Sequence, residues 1–215
     1  MEGQSLMAFT SYAQLRTRAM QLIDGDDVSQ ASFSVDTANI FISFGENRVY
    51  RDLRASTMVI DLSLAPVSTV YTLPSRVVEL KELYFSGKPP LEIIPLDKMR
   101  KLIAEGTTPG DTIYAAQNGD RLVFWPTQTT ATVLGSYYGI PALPMETETT
   151  WASQTTVNRY PECFIYAAMC EAAPFMGEDA RLPMWEAKYS QAIANANSDE
   201  LMRVYGGSPL RVRTR

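Results

Sequence analysis

An α+β fold is predicted: a bundle of about four helices, a small antiparallel β module inserted into it, and an extended C-terminal tail. Three observations predict it. Apolar residues recur at helical spacing near both ends of the chain, the spacing changes to strict alternation between Thr57 and Thr150, and all periodicity stops after Leu201 at Gly206, Gly207 and Pro209. The domains that follow are a discontinuous bundle over 1–56 and 151–202, a β-rich insertion over 57–150 and a tail over 203–215.

The first helix starts at Ser11, which has Gln14 three residues on as a capping-box partner. Tyr12, Leu15, Ala19 and Leu22 mark its inner face to about Asp24. The link from Gly25 to Ser34 is polar and acidic, but Asp24, Asp26 and Asp27 lack the alternating oxygen ligands and closing glutamate of a calcium loop. A second helix runs from about Val35 to Arg54, with Ala38, Ile42, Val49 and Leu53 inward and Asn47, Arg48, Arg51 and Asp52 outside. Gly45 in its middle costs about 1 kcal/mol relative to alanine, which points to a close approach by a neighbouring helix.

Strands are predicted over Met58–Leu62, Val70–Leu73, Val78–Phe85, Leu91–Ile94, Thr112–Ala115, Arg121–Trp125 and Ala131–Tyr138. Ser86-Gly87-Lys88-Pro89 and Asn118-Gly119-Asp120 supply turns, and Pro95–Ala104 is a short helix closed by Gly106. Pro141–Thr155 leads back to the bundle, with Trp151 as its anchor. A third bundle helix spans Tyr160–Ala173, with Pro161 in the donor-free first turn and Pro174 as its stop. From Cys163 to Ala173 only Glu171 is polar, so this helix belongs at the centre. The fourth runs from an N-cap at Asp179 to Leu201. It tolerates Pro183 in its first turn and turns Leu182, Trp185, Tyr189, Ala192 and Ala196 inward.

Composition narrows the function. A chain of 215 residues that is 46% hydrophobic and 20% charged can bury a sizeable core. No apolar run reaches the roughly 18 residues of a membrane span, and no signal sequence is visible, so a soluble, unsecreted protein is expected. Cys163 and Cys170 lie seven residues apart on one predicted helix, roughly 10 Å at 1.5 Å per residue. A disulfide needs less than about 7 Å, so they read as buried thiols in a reducing cytoplasm. Two cysteines and no histidine leave zinc too few ligands.

Charge is unevenly spread. Residues 203–215 hold Arg203, Arg211, Arg213 and Arg215 and no acid; with a net charge of −5 for the chain, residues 1–202 carry −9. Broad nucleic-acid binding favours a basic face on the domain itself, so a basic tail on an acidic body suggests a protein partner.

Catalytic patterns are sparse. Without histidine there is no Ser-His or Cys-His pair, and no phosphate-cradling glycine motif appears, so no enzyme activity and no cofactor or metal are expected. Glu171 is the best candidate for a perturbed carboxylate; its structural reading is a buried acid paired with Arg159 or Arg181. Phe124, Trp125, Tyr137 and Tyr138 could stack bases, but without interleaved lysine or arginine they read as core.

Several segments in order carry a resemblance. Asn47-Arg48-Val49-Tyr50-Arg51-Asp52-Leu53-Arg54 is followed by Leu73-Pro74, Val78-Glu79-Leu80-Lys81-Glu82-Leu83-Tyr84 and Gly119-Asp120-Arg121-Leu122 with Pro126. Then come Tyr137-Tyr138-Gly139-Ile140-Pro141-Ala142-Leu143, Trp151, Arg159-Tyr160-Pro161, Tyr166-Ala167-Ala168 and Glu171-Ala172-Ala173-Pro174-Phe175. Trp185, Tyr189 and Gly207-Ser208-Pro209-Leu210-Arg211 complete the series. It resembles the head-to-tail adaptor (connector) proteins of tailed double-stranded DNA phages, especially the short-tailed type.

The resemblance implies a virion protein, made in the host cytoplasm, that forms a ring, commonly of twelve copies, beneath the portal protein. Such a ring extends the DNA channel without specific DNA binding and offers a surface to the tail nozzle or tube. It also implies portal contact through Ser208, Pro209, Leu210, Arg211 and Arg213. Two other readings stand beside it: a nucleic-acid-binding module using the arginine tail, and a hydrolase using Glu171.

Overall fold

The computed structural model describes residues 9–24, 34–67, 70–106, 113–127, 131–141, 145–146, 155–175, 177 and 180–205. The chain is α+β and divides into two compact units, Met1–Thr57 with Ala142–Arg215, and Met58–Pro141.

The first unit is helical. It contains α1 (Tyr12–Asp24), α2 (Val35–Asp52), α4 (Thr155–Arg159), α5 (Pro161–Phe175) and α6 (Leu182–Tyr205). Gln14 N–H donates to the Ser11 hydroxyl at 3.3 Å, while the Gln14 side chain reaches back to the Thr10 N–H at 2.9 Å, so orphan donors at the start of α1 are satisfied locally. Ser34 caps α2 by accepting from Thr37 N–H at 3.2 Å.

The apolar helix α5 is the centre of this unit and packs on α1, α2, α4 and α6. It runs antiparallel to α2, since Phe41 meets Phe175 and Tyr50 meets Phe164 at ring distances of 5.2 and 5.6 Å. Between those pairs Gly45 lies against the α5 backbone. A Cβ there would sit 2.7 Å from Ala168 N and 3.0 Å from Ala167 C, so a side chain is excluded by the packing itself.

The sequence reading differs from the structure at two places here. It took the return link to Thr155 and named no element before Tyr160; the structure has the short helix α4 there. Pro174 lies inside the last turn of α5, which ends one residue later at Phe175. The N-cap at Asp179 and the anchor at Trp151 fall outside the described residues; α6 begins at Leu182 with Pro183 in its first turn.

The second unit is built on β1 (Val59–Leu64), β2 (Tyr71–Thr72), β3 (Val77–Phe85), β4 (Glu92–Ile93), β5 (Tyr114–Asn118), β6 (Arg121–Trp125) and β7 (Val133–Gly139), with α3 (Leu96–Ala104) between β4 and β5. Two sheets form, in the orders β1-β7-β3 and β2-β6-β5-β4. Their core draws Leu62, Leu83, Phe85, Val133 and Tyr137 from the first and Tyr71, Ala115, Leu122 and Phe124 from the second. Ile94, Met99 and Ala116 form a smaller cluster that ties α3 to the second sheet.

The module is not wholly antiparallel, because β4 pairs parallel with β5. A parallel pair needs a crossover, and α3 supplies it. Strand β3 shifts register twice against β7. Gly135 accommodates the shift: a Cβ at that position would run into the Glu82 carbonyl.

Phe124 and Tyr137 are core residues, 4% and 2% exposed, and Trp125 is half-buried against the α3 cluster. Tyr138 is half-buried with Lys81 Nζ 5.9 Å from its ring centroid.

Candidate interaction site

Ser208, Pro209, Leu210, Arg211 and Arg213 lie outside the described residues. What the structure does place is the end of α6 that carries them. Among the described side chains of α6 the last buried one is Glu200, 3% exposed. It lies eleven residues beyond Tyr189 and four beyond Ala196, on the same face as both, so helical spacing drives a carboxylate into the core.

That carboxylate is fully engaged. It accepts from Ser56 N–H at 2.9 Å, from the Tyr160 hydroxyl at 2.7 Å and from Arg159 Nη1 at 3.0 Å, with Arg203 Nη1 at 3.9 Å. Burial alone would raise its pKa. Hydrogen bonds from the Ser56 hydroxyl and N–H, Tyr160 and Arg159 outweigh that and hold it at about 2. Tyr160 is pushed up by burial and by Glu200.

Three residues earlier, Asn197 accepts from Arg54 N–H at 2.8 Å and donates to Asp52 O at 3.2 Å. Thr57 and Thr156 share a hydroxyl hydrogen bond of 2.7 Å. The end of α6 therefore fastens residues 52–57, where the chain leaves the helical unit.

Glu171 does not turn to Arg159, which is committed to Glu200. It lies 3.6 Å from Arg48, a residue predicted to be on the outside. Arg48 is 24% exposed and bridges three elements: a bidentate pair with Glu186 at 3.0 and 2.6 Å, the Glu171 contact, and the Tyr189 ring 4.4 Å below its guanidinium. The hydrogen bond from Arg48 pulls Glu186 below its ordinary pKa. This is the geometry of a structural clamp between α2, α5 and α6.

The carboxyl most perturbed upward is Glu46, which sequence reasoning did not single out. It is 7% exposed, and both its oxygens face Met145 N–H, at 3.1 and 3.3 Å. Burial raises its pKa to about 7, against the lowering effect of that hydrogen bond. Asn39 Nδ2 donates to the adjacent Glu146 at 2.8 Å, so two neighbouring α2-facing contacts hold Met145 and Glu146. The signal was present: Glu46 sits four residues after Ile42 and three before Val49, in the middle of the apolar stripe.

Both cysteines are buried free thiols. Burial raises Cys163 to about 12 and Cys170 to about 11, which keeps them protonated at neutral pH. Among the described residues no group of three or more His, Cys, Asp or Glu is placed to hold a metal ion, and no helix is long and apolar enough to cross a membrane.

A family model described as SU10 adaptor protein matches residues 10–213, nearly the whole chain. The chain belongs to the SU10 adaptor protein family. As a member it is a structural adaptor of the phage virion, consistent with a head-to-tail adaptor and with interaction with other virion proteins. A search of curated proteins found no match. The matched span takes in both units and reaches Arg213.

Proposed function

We propose that this adaptor assembles as a ring, in the twelve-copy arrangement its resemblance implies, beneath the portal protein. There it extends the DNA channel and gives the tail nozzle or tube its attachment surface. In this reading the helical unit is the trunk, the β unit is an insertion, and Ser208, Pro209, Leu210, Arg211 and Arg213 make the portal contact.

The observation that carries the proposal is the family match over 10–213, which ends inside the basic segment. Charge supports it. A body of −9 adheres poorly to the phosphate backbone passing through a ring, whereas four arginines in 203–215 suit bidentate pairing with carboxylates of a protein neighbour. The hydrolase reading loses its motivation, because Glu171 belongs to the Arg48 clamp. The arginines serve a nucleic-acid reading less well, since the body they would bring to DNA is acidic.

Deleting residues 206–215 leaves the Glu200 network and the rest of α6 intact. The truncated chain is expected to stay folded by circular dichroism and to fail to pull down purified portal. Undiminished capture would refute the assignment of portal contact to the tail.

A further inference from the structure

We infer that the docking surface begins before the tail, in the last turn of α6. That turn fits an apolar groove rimmed by carboxylates on the protein that receives the basic segment. The inference rests on the portal reading above and extends it to residues that reading does not include.

Beyond Glu200 the described side chains of the helix, 201–204, are all exposed. Leu201, Met202 and Val204 are 60%, 69% and 57% exposed, three large apolar side chains within four consecutive residues. Around the helix axis Val204, Leu201 and Met202 occupy adjacent positions, and Arg203 takes the remaining side. Its side chain is 58% exposed, and its nearest described carboxylate, Glu200, is 3.9 Å away and already held by Ser56, Tyr160 and Arg159.

A solvent-facing turn of a marginal helix end is ordinarily polar, because exposed apolar surface there brings no burial. Here the turn follows directly on Glu200, whose carboxylate is held by Ser56, Tyr160 and Arg159, so the start of the turn is fastened to the helical unit. A fixed helical anchor loses little entropy on binding. Two further observations name the occupant. The chain continues directly from this turn into residues 206–215, and Arg203 within the turn and Arg211, Arg213 and Arg215 after it give the whole segment one sign of charge. An amphipathic helix end seated in an apolar groove, with carboxylates around the rim meeting those arginines, satisfies both.

The test uses the full chain with Leu201→Glu and Met202→Glu together, purified portal rings as the probe, and Val67→Glu as a control at a 76% exposed apolar site in the β unit. Portal affinity is expected to fall by at least about tenfold in the double variant and to stay unchanged in the control, with unchanged melting temperature. Leu201→Ala with Met202→Ala gives the same direction should the charged pair perturb folding. Unchanged affinity, with binding abolished by deletion of 206–215, overturns the inference and leaves the tail assignment standing. Unchanged affinity in both overturns the two together. Loss of self-association, measured by light scattering without portal, while portal affinity holds assigns the turn to a second copy of this chain and overturns the inference. Retained portal affinity with lost binding to linear duplex DNA does so in favour of nucleic acid.

Discussion

At the scale of single residues, Gly45 shows how a sequence peculiarity becomes a packing constraint. Alanine is the better helix former by about 1 kcal/mol, but its Cβ would lie 2.7 Å from Ala168 N on the facing backbone, which has no side-chain end to move aside. Gly45→Ala is therefore expected to lower stability by about 1–3 kcal/mol, read as a lower melting temperature. A rise would show that α2 and α5 are not in backbone contact.

The two buried carboxylates pull stability in opposite directions with pH. Glu46 has a folded pKa of about 7, above the ordinary 4.5, so the folded state binds its proton more tightly and stability falls as pH rises from about 4.5 to 7. Glu200, at about 2, contributes stability above 4.5 that is lost as pH drops toward 2. Glu46→Gln should flatten the first slope in melting temperature against pH. Glu200→Gln should flatten the second and lower stability at pH 7. Slopes unchanged in both variants would contradict these environments. The buried, protonated Cys163 and Cys170 are further expected to resist a thiol reagent at pH 8 until the protein is unfolded.

Neither acid was singled out in the sequence. Each nevertheless lies on its helix's apolar stripe, Glu46 between Ile42 and Val49 and Glu200 beyond Ala196. Position on the stripe outweighs residue type when partners wait on the neighbouring element. For Glu46 that partner is the N–H of Met145, ninety-nine residues away in the chain, which no local pattern reveals.

At the scale of elements, the amphipathic spacing of α1, α2 and α6 was readable because each buries a stripe against α5, and the central place of α5 followed from its near lack of polar residues. The strands of the β unit were readable from alternation, but the parallel pairing of β4 with β5 was not. Alternation marks a strand without saying which neighbour it chooses, and two-residue strands such as β2 and β4 carry almost no pattern. Arg48 was placed outside by its charge, yet it lies at the seam where α2, α5 and α6 meet.

That seam makes a prediction about elements. Arg48→Lys keeps the charge but loses the paired donors to Glu186 and the flat contact with Tyr189. The expected cost is about 1–2 kcal/mol of unfolding free energy in urea. A neutral result would mean that α6 is held on α2 by apolar packing alone.

At the scale of the whole molecule, family membership was legible from a scattered series of segments, and the family match over 10–213 bears it out. The ring, its copy number and its neighbours belong to the assembly and not to one chain. They rest on the resemblance and stand as part of the proposal above.

The most direct test is a reconstructed density map of the capsid vertex that includes this protein with its neighbours. The account predicts symmetry-related copies in a closed ring under the portal, with Arg211 of each copy against portal carboxylates and Leu201 and Met202 covered by the same partner. Copies lying outside the head-tail junction, or residues 207–213 packed on their own subunit away from the portal, would contradict it.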